Sequence, residues 1–247
     1  GSPDKSPVAI IEHPDVRRTL IRMKALTEAG RALLYYTAGQ VDRGALGDSA
    51  AAMRADALVP MLKAWGTDMG VEVASLGVQI HGGMGFVEET GAAQHYRDAR
   101  IAPIYEGTNG IQAADLVTRK LGLENGGVLL ALLDEIARDA AGEPALAALA
   151  RDCAGIAQWM LSEASLDDRL AGSVPFCTMC AVAVAGWQLL QQLRAIEAGA
   201  APALAATKPV TVRFFLDRIV PEAGGLRGSA LAGSDALYSL TAEQLVS

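Results

Sequence analysis

Apolar side chains recur with a helical period along the first eighty residues. Val16, Leu20, Met23, Leu26, Leu33, Leu34 and Val41 fall mostly three, four or seven apart, with Arg17, Arg18, Arg22 and Lys24 between them. Positions at that spacing share one face, so an amphipathic helix is predicted over 15–42. Gly44 and Gly47 interrupt the pattern, and a second helix is predicted over 48–80 with Met61, Trp65, Met69, Val73, Leu76 and Ile80 on its buried face. Pro60 lies within it; proline suits a first helical turn and disrupts an interior, so a break and fresh start are expected there. His81-Gly82-Gly83-Met84-Gly85 ends the stretch, since glycine supplies the positive φ of a C-cap or tight turn.

A polar connecting segment is expected over 87–102, and 103–110 cannot be regular helix because it carries Pro103, Gly107 and Gly110. Helix resumes after Thr108 or Asn109, either of which suits an N-cap, and Asn109 with Gln112 resembles a capping box. The glycine-containing link over 123–127 is a fair subdomain boundary. Further helices are predicted over 128–139, 144–163, 174–198, 209–220 and 230–240, with Pro144 and Pro209 at expected helix starts. The fold class is therefore all-α: an antiparallel helical bundle over 1–122, followed by a second small helical domain over 123–247.

Composition narrows the function classes. Of 247 residues 51% are hydrophobic and only 5% aromatic, which supplies a core and favours helix over sheet. A formal net charge of -7 argues against nucleic acid as a partner, because neutralising phosphates takes surplus Lys and Arg. Cys153, Cys177 and Cys180 are too few for a disulfide framework and point to a reducing, cytoplasmic setting. Cys177 and Cys180 have redox or zinc spacing, but no second pair or nearby His completes a site, so they are read as buried thiols. His13, His81 and His95 lack metal-ligand spacing, and Trp65, Trp159 and Trp187 sit in apolar helical periods as core residues. The stretch 171–193 carries no charge, yet Ser, Thr, Gln, Pro and Gly interrupt it, so a buried core helix is expected in place of a membrane span. Gly1-Ser2 looks like the scar of a cleaved tag, which implies an excised piece.

Three segments carry candidate chemistry in order: Gln79-Ile80-His81-Gly82-Gly83-Met84-Gly85-Phe86, then Tyr96-Arg97-Asp98-Ala99-Arg100, then Tyr105-Glu106-Gly107-Thr108-Asn109-Gly110-Ile111-Gln112. Glu106 is a carboxylate on a short irregular loop, the placement a general base needs, and Gly107 lets backbone approach a ligand. Read alone, the same residues make a solvated helix cap. Arg97 and Asp98 read most simply as a structural ion pair or loop anchor.

Taken together and in this order, the segments resemble the acyl-CoA dehydrogenase family over residues 11–121. The remainder resembles the extra C-terminal helical domain of one bacterial branch, which includes 3-methylthiopropanoyl-CoA dehydrogenases. The resemblance implies α,β-desaturation of an acyl-CoA thioester, with Glu106 as catalytic base and Tyr105, Glu106 and Gly107 against the substrate. It implies FAD as cofactor, held in part by Gln79, Gly82, Gly83, Thr108 and Asn109. Family members often carry Gln or Glu where Gly110 stands, so no side-chain contact is assigned there. An electron-transfer flavoprotein as acceptor, and a homodimer or dimer of dimers, are implied likewise. The family's N-terminal helical domain and middle β-domain do not precede Ile11, so the isolated chain is expected to be colourless and inactive. Two other readings are an acyl-CoA oxidase of the same superfamily and a non-catalytic helical module for oligomerisation or nucleic-acid binding.

Overall fold

A computed structural model describes residues 7–246, so the Gly1-Ser2 reading falls outside the described residues. Among the described residues there is helix and no strand, as the periodicity predicts. Helix α1 (Pro14–Ala45) and helix α2 (Ser49–Ile80) form an antiparallel pair, with Asp48 capping α2 through the Ala51 N–H at 3.0 Å. The pair approaches closely where Gly44 meets Ala52, leaving a Cβ at position 44 only 2.9 Å from the Ala52 Cβ.

The expected break at Pro60 does not occur: α2 runs unbroken through it. An interior proline removes one helical hydrogen bond and costs about 3 kcal/mol. Ala57, Leu58, Pro60, Met61, Ala64 and Trp65 are all buried, so the turns on both sides of Pro60 are pinned into one core. Packing outweighs the local preference.

Beyond α2 follow a short helix α3 (Gly83–Phe86), a 3-10 turn (Glu88–Thr90) and α4 (Ala92–Ala99). The supposed connector over 87–102 thus contains a helix, which tucks Ala92 and Ala93 inward and leaves Gln94, His95 and Arg97 exposed. Helix α5 (Asn109–Asp115) continues through a π turn (Leu116–Lys120), and the 3-10 turn Leu123–Gly126 leads on with Glu124 and Asn125 in left-handed conformation. Helices α6 (Gly127–Asp139) and α7 (Pro144–Ser162) match their predicted bounds closely. Helix α8 (Leu166–Ala171), which sequence periodicity did not reveal, starts at a capping box made by Ser165 and Asp168. Helix α9 is Ser173–Glu197, and α10 (Lys208–Phe214) runs through a second π turn (Phe215–Ile219) into α11 (Val220–Gly224).

The helix expected over 230–240 is absent. A four-residue helix α12 (Arg227–Ala230) stops short, Gly233 takes φ +73°, and only a 3-10 turn (Asp235–Tyr238) follows. Ser234 explains the break, since its N–H and hydroxyl both donate to Asp168 Oδ1, at 2.9 and 2.8 Å. These bonds and those from Ser165 hold the Asp168 carboxyl down to about 2.

Helix α9 is buried nearly all round, with Phe176, Met179, Cys180 and Val184 fully enclosed. It is long and apolar enough to cross a membrane, yet most of its length lies inside this core, packed against α1, α2, α5, α7 and α10. One hydrophobic core runs from Ala25 to Ala230 and takes residues from both sides of the 123–126 turn. Polar contacts cross the same divide. Lys208 Nζ and Thr211 Oγ1 donate to Glu28 at 2.9 Å each, and Arg22 bridges Glu72 at 2.6 Å and Glu222 at 2.9 Å. Burial would raise the Glu28 pKa, but Lys24, Lys208 and Thr211 outweigh it and hold it below the usual carboxylate range. All three cysteines are buried, and burial pushes the Cys177 thiol up to about 12.

Candidate active site

The loop between α4 and α5 carries Glu106. Tyr105 N–H donates to Ile101 O at 3.1 Å and Asn109 N–H to Pro103 O at 3.1 Å, so the loop closes on itself around Glu106. Glu106 has φ +54° and Gly107 φ +85°, two consecutive residues in left-handed conformation. For glutamate that geometry costs about 1–2 kcal/mol. Strain of this kind persists only where surrounding contacts over-determine it.

Those contacts come from α2. Lys63 Nζ donates to Ala102 O at 2.7 Å and to Gly107 O at 3.4 Å, and stands 5.5 Å from the centre of the Tyr105 ring. Asn109 Nδ2 donates to Ala64 O and to Thr67 Oγ1, each at 2.9 Å, while Gln112 Nε2 donates to Glu106 O at 3.4 Å. Thr108, not Asn109, is the N-cap of α5: its hydroxyl accepts the Ile111 N–H at 3.3 Å. The expected Asn109–Gln112 capping box therefore does not form, because both side chains serve the loop instead.

The N–H groups of Glu106, Gly107 and Thr108 find no acceptor among the described residues. Three successive free N–H groups on a turn beside a carboxylate can receive an oxyanion. Tyr105 and Glu106 are exposed. Beside the loop's anchors, α1 and α2 frame an apolar groove of about 530 Å³ lined by Leu34, Leu62, Lys63, Thr67, Met69 and Val73. Glu106 is not among the residues that line it.

Gln79, Gly82 and Gly83 lie apart from this loop, at the far end of α2. Thr67 and Gln79 are separated by about 18 Å along the helix axis. The glycines of this end differ in why they are glycine. Gly82 has φ +60°, which demands it, and a Cβ on Gly85 would run into the Val78 carbonyl oxygen. Gly83 has neither constraint, with open space where a Cβ would stand. A backbone left bare for no internal reason fits the close approach of a bound group. Gln79, Gly82 and Gly83 are all exposed. Between the two ends, Arg97 pairs not with Asp98 but with Glu88, through two bonds of 2.9 and 2.7 Å, and so anchors the turn before α4. That exposed pair lowers the Glu88 pKa through its hydrogen bonds and charge.

Sequence reasoning missed Lys63 and Thr67, which hold the loop. One signal was available: Lys63 is the only charged residue between Asp56 and Asp68. A lysine alone in an apolar stretch has a specific acceptor to reach.

A family profile described as "Acyl-CoA dehydrogenase, C-terminal domain" matches residues 4–121, and one described as "Acetyl-CoA dehydrogenase C-terminal like" matches 131–241. A 3-methylmercaptopropionyl-CoA dehydrogenase of Ruegeria pomeroyi is 44% identical over 238 residues, covering 87% of this chain and 40% of that protein. A butyryl-CoA dehydrogenase of Syntrophomonas wolfei is 39% identical over 124 residues, covering 48% of this chain and 20% of that protein. Among solved structures, an acyl-CoA dehydrogenase complexed with FAD from Bacillus anthracis superposes with a TM-score of 0.74 at 20% identity, over 96% of this chain and 45% of that one. The helical core and the ordered motifs define the C-terminal helical portion of a known enzyme fold. The chain belongs to the acyl-CoA dehydrogenase family. It spans about 40% of the length of the Ruegeria relative.

Proposed function

We propose that this chain is the base-bearing helical portion of a FAD-dependent acyl-CoA dehydrogenase, an oxidoreductase that introduces a double bond between the α and β carbons of an acyl-CoA thioester. The observation that carries the proposal is the exposed carboxylate of Glu106 at φ +54°, on a loop locked to α2 and beside free N–H groups. Glu106 takes the proton from the α-carbon, as a general base within contact distance must. Its backbone N–H donates to the thioester carbonyl and stabilises the enolate charge as it develops. Tyr105 and Gly107 border the reacting carbons. The exposed position of Glu106 leaves the remaining walls of the pocket to segments outside this chain.

Gln79 and the bare backbone of Gly82 and Gly83 fit a bound dinucleotide, which they would hold together with Thr108 and Asn109. Thr108 can do so while capping α5, and Asn109 contributes through the loop that its amide anchors to α2. FAD, when bound, supplies the hydride acceptor for the β-carbon. Electrons then leave to an electron-transfer flavoprotein, and the full-length enzyme is a cytoplasmic homodimer or dimer of dimers that serves fatty-acyl breakdown. The named activities of the relatives run from 3-methylmercaptopropionyl-CoA and butyryl-CoA to broad-specificity linear acyl-CoA, so the substrate class is an acyl-CoA thioester with its chain length left to the assay. In this reading residues 1–122 form the base-bearing bundle and residues 123–247 the additional helical domain that buttresses it.

The test is the full-length protein, assayed with a panel of acyl-CoA thioesters by dye reduction, beside its Glu106→Gln variant. The variant is expected to keep its flavin and lose turnover by about 10²- to 10⁴-fold or more. Near-normal turnover would move the base elsewhere, and peroxide release in place of flavoprotein reduction would assign the oxidase.

A further inference from the structure

We infer that Lys63 is a positioning residue for Glu106, acting on the backbone of the loop and not on the substrate; the inference rests on the base assignment above. The acceptors of Lys63 bracket the base. Its ammonium takes Ala102 O at 2.7 Å on one side of Glu106 and Gly107 O at 3.4 Å on the other. Its charge also faces the ring of Tyr105, the residue immediately before the base, at 5.5 Å from the centroid. A lysine ammonium has three donors and no acceptor, so one point on α2 can gather several loop carbonyls. Charge-assisted bonds of this kind are among the stronger ones.

Geometry explains why the loop needs such a clamp. Glu106 and Gly107 both take positive φ, and without an external tie a glutamate would relax toward the ordinary region. The Asn109 side chain fixes the start of α5 on Ala64 and Thr67, and its N–H closes the loop onto Pro103 O, but its tie to α2 lies beyond Glu106 only. Among the described side chains of α2, Lys63 is the one that ties both sides of Glu106 to the helix. Thr67 accompanies it from one turn further along α2, its hydroxyl donating to Lys63 O at 2.7 Å, so the two anchors stand on one helical face. Lys63 also lines the apolar groove between α1 and α2, a setting that gives an ammonium few alternatives to the loop carbonyls.

The experiment uses the full-length, flavin-loaded protein with Lys63→Met, Lys63→Arg and Glu106→Gln side by side. Methionine keeps the length and apolar stem of lysine and removes every donor, while arginine keeps charge and donors. Lys63→Met is expected to lower kcat by about 10- to 100-fold, since small misplacements of a catalytic group have that scale, with KM changed by less than about threefold. Hydrogen exchange of the backbone over 101–108 should quicken in the same variant, and Lys63→Arg should restore most of both. Lys63→Gln, with one neutral donor, carries the same measurements if the methionine variant yields no flavin-loaded protein.

Unchanged kcat and unchanged exchange in Lys63→Met, with Glu106→Gln inactive, would overturn the inference and leave the base in place. A raised KM at constant kcat would also overturn it, because that pattern marks substrate binding. An arginine variant as impaired as the methionine one would overturn it by assigning the residue to packing. Full turnover in Glu106→Gln would instead defeat the base assignment, whatever the Lys63 variants do.

Discussion

Replacing Glu106 by glycine should make the chain more stable while abolishing the activity proposed for it. Glutamate at φ +54° carries a steric cost of about 1–2 kcal/mol, because its Cβ crowds the following carbonyl. Glycine removes that cost but adds freedom to the unfolded chain, worth about 0.4–1 kcal/mol in the opposite direction. Among the described residues the exposed Glu106 carboxylate has no ion-pair or hydrogen-bond partner whose loss must be subtracted. The net gain is then about 0–1.6 kcal/mol, about 0.8 at the midpoint, and for a domain of this size each kcal/mol moves Tm by about 2–4 °C. Thermal unfolding followed by circular dichroism should show a rise of about 1–4 °C. Gly107→Ala is the control: at φ +85°, with a new Cβ 3.0 Å from Gln112 Nε2, it should melt lower than the parent. A Glu106→Gly variant melting below the parent would refute the claim that Glu106 sits in a strained backbone.

Two further outcomes follow from other parts of the molecule. Asp168 titrates at about 2 when folded and near 3.9 when unfolded, so its contribution is full above the higher value and is lost as pH falls through the lower; the Tm gap between parent and Asp168→Asn should be constant above about pH 5 and close between about pH 4 and 2. Gly85→Ala forces a Cβ onto the Val78 carbonyl oxygen, which no rotamer change relieves; a loss of about 1–3 kcal/mol in urea unfolding and reduced flavin content in the full-length protein are expected.

The long elements were legible because each offers several turns of one buried stripe: α1, α2, α6, α7 and α9 fall within a few residues of their predicted ends. Helices α4 and α8 were not. The first buries only Ala92 and Ala93, the second buries no residue fully, and neither gives a period to detect. The reverse error at 230–240 has the same root. Ala230, Leu231, Ala236, Leu237 and Leu240 are spaced as a helix would space them, yet Leu237 and Leu240 are exposed and Ser234 turns aside to Asp168. That partner lies far back in the chain, where a local window does not look. The site divides likewise. Glu106 and the Gly82-Gly83 pair stood out as motifs, whereas Lys63 reaches its acceptors across a long sequence gap and is visible only once the chain is folded.

The same division shows why the C-terminal half belongs to any account of the Glu106 loop. A carboxylate on a loop is only as well placed as the element behind it, and here that element is α2 on either side of Pro60. Left to local preference α2 would kink at Pro60, just before Lys63, and the clamp would swing with it. Helix α1 packs along α2, and further contacts around Pro60 come from beyond residue 123. Trp65 meets Phe215 edge to face at 6.5 Å, Cys177 Sγ lies 4.0 Å from the Pro60 carbonyl oxygen, and Leu58 and Met61 are enclosed in the core that α9 fills. Met61, Ala64 and Trp65 face that core while Lys63 and Thr67 face the loop, so one short stretch of α2 links the core that α9 fills to the loop that carries Glu106. The interior proline is tolerated because α1 and the far half of the chain together supply packing that overrides it, and the placement of the Glu106 loop rests on that same stretch of α2.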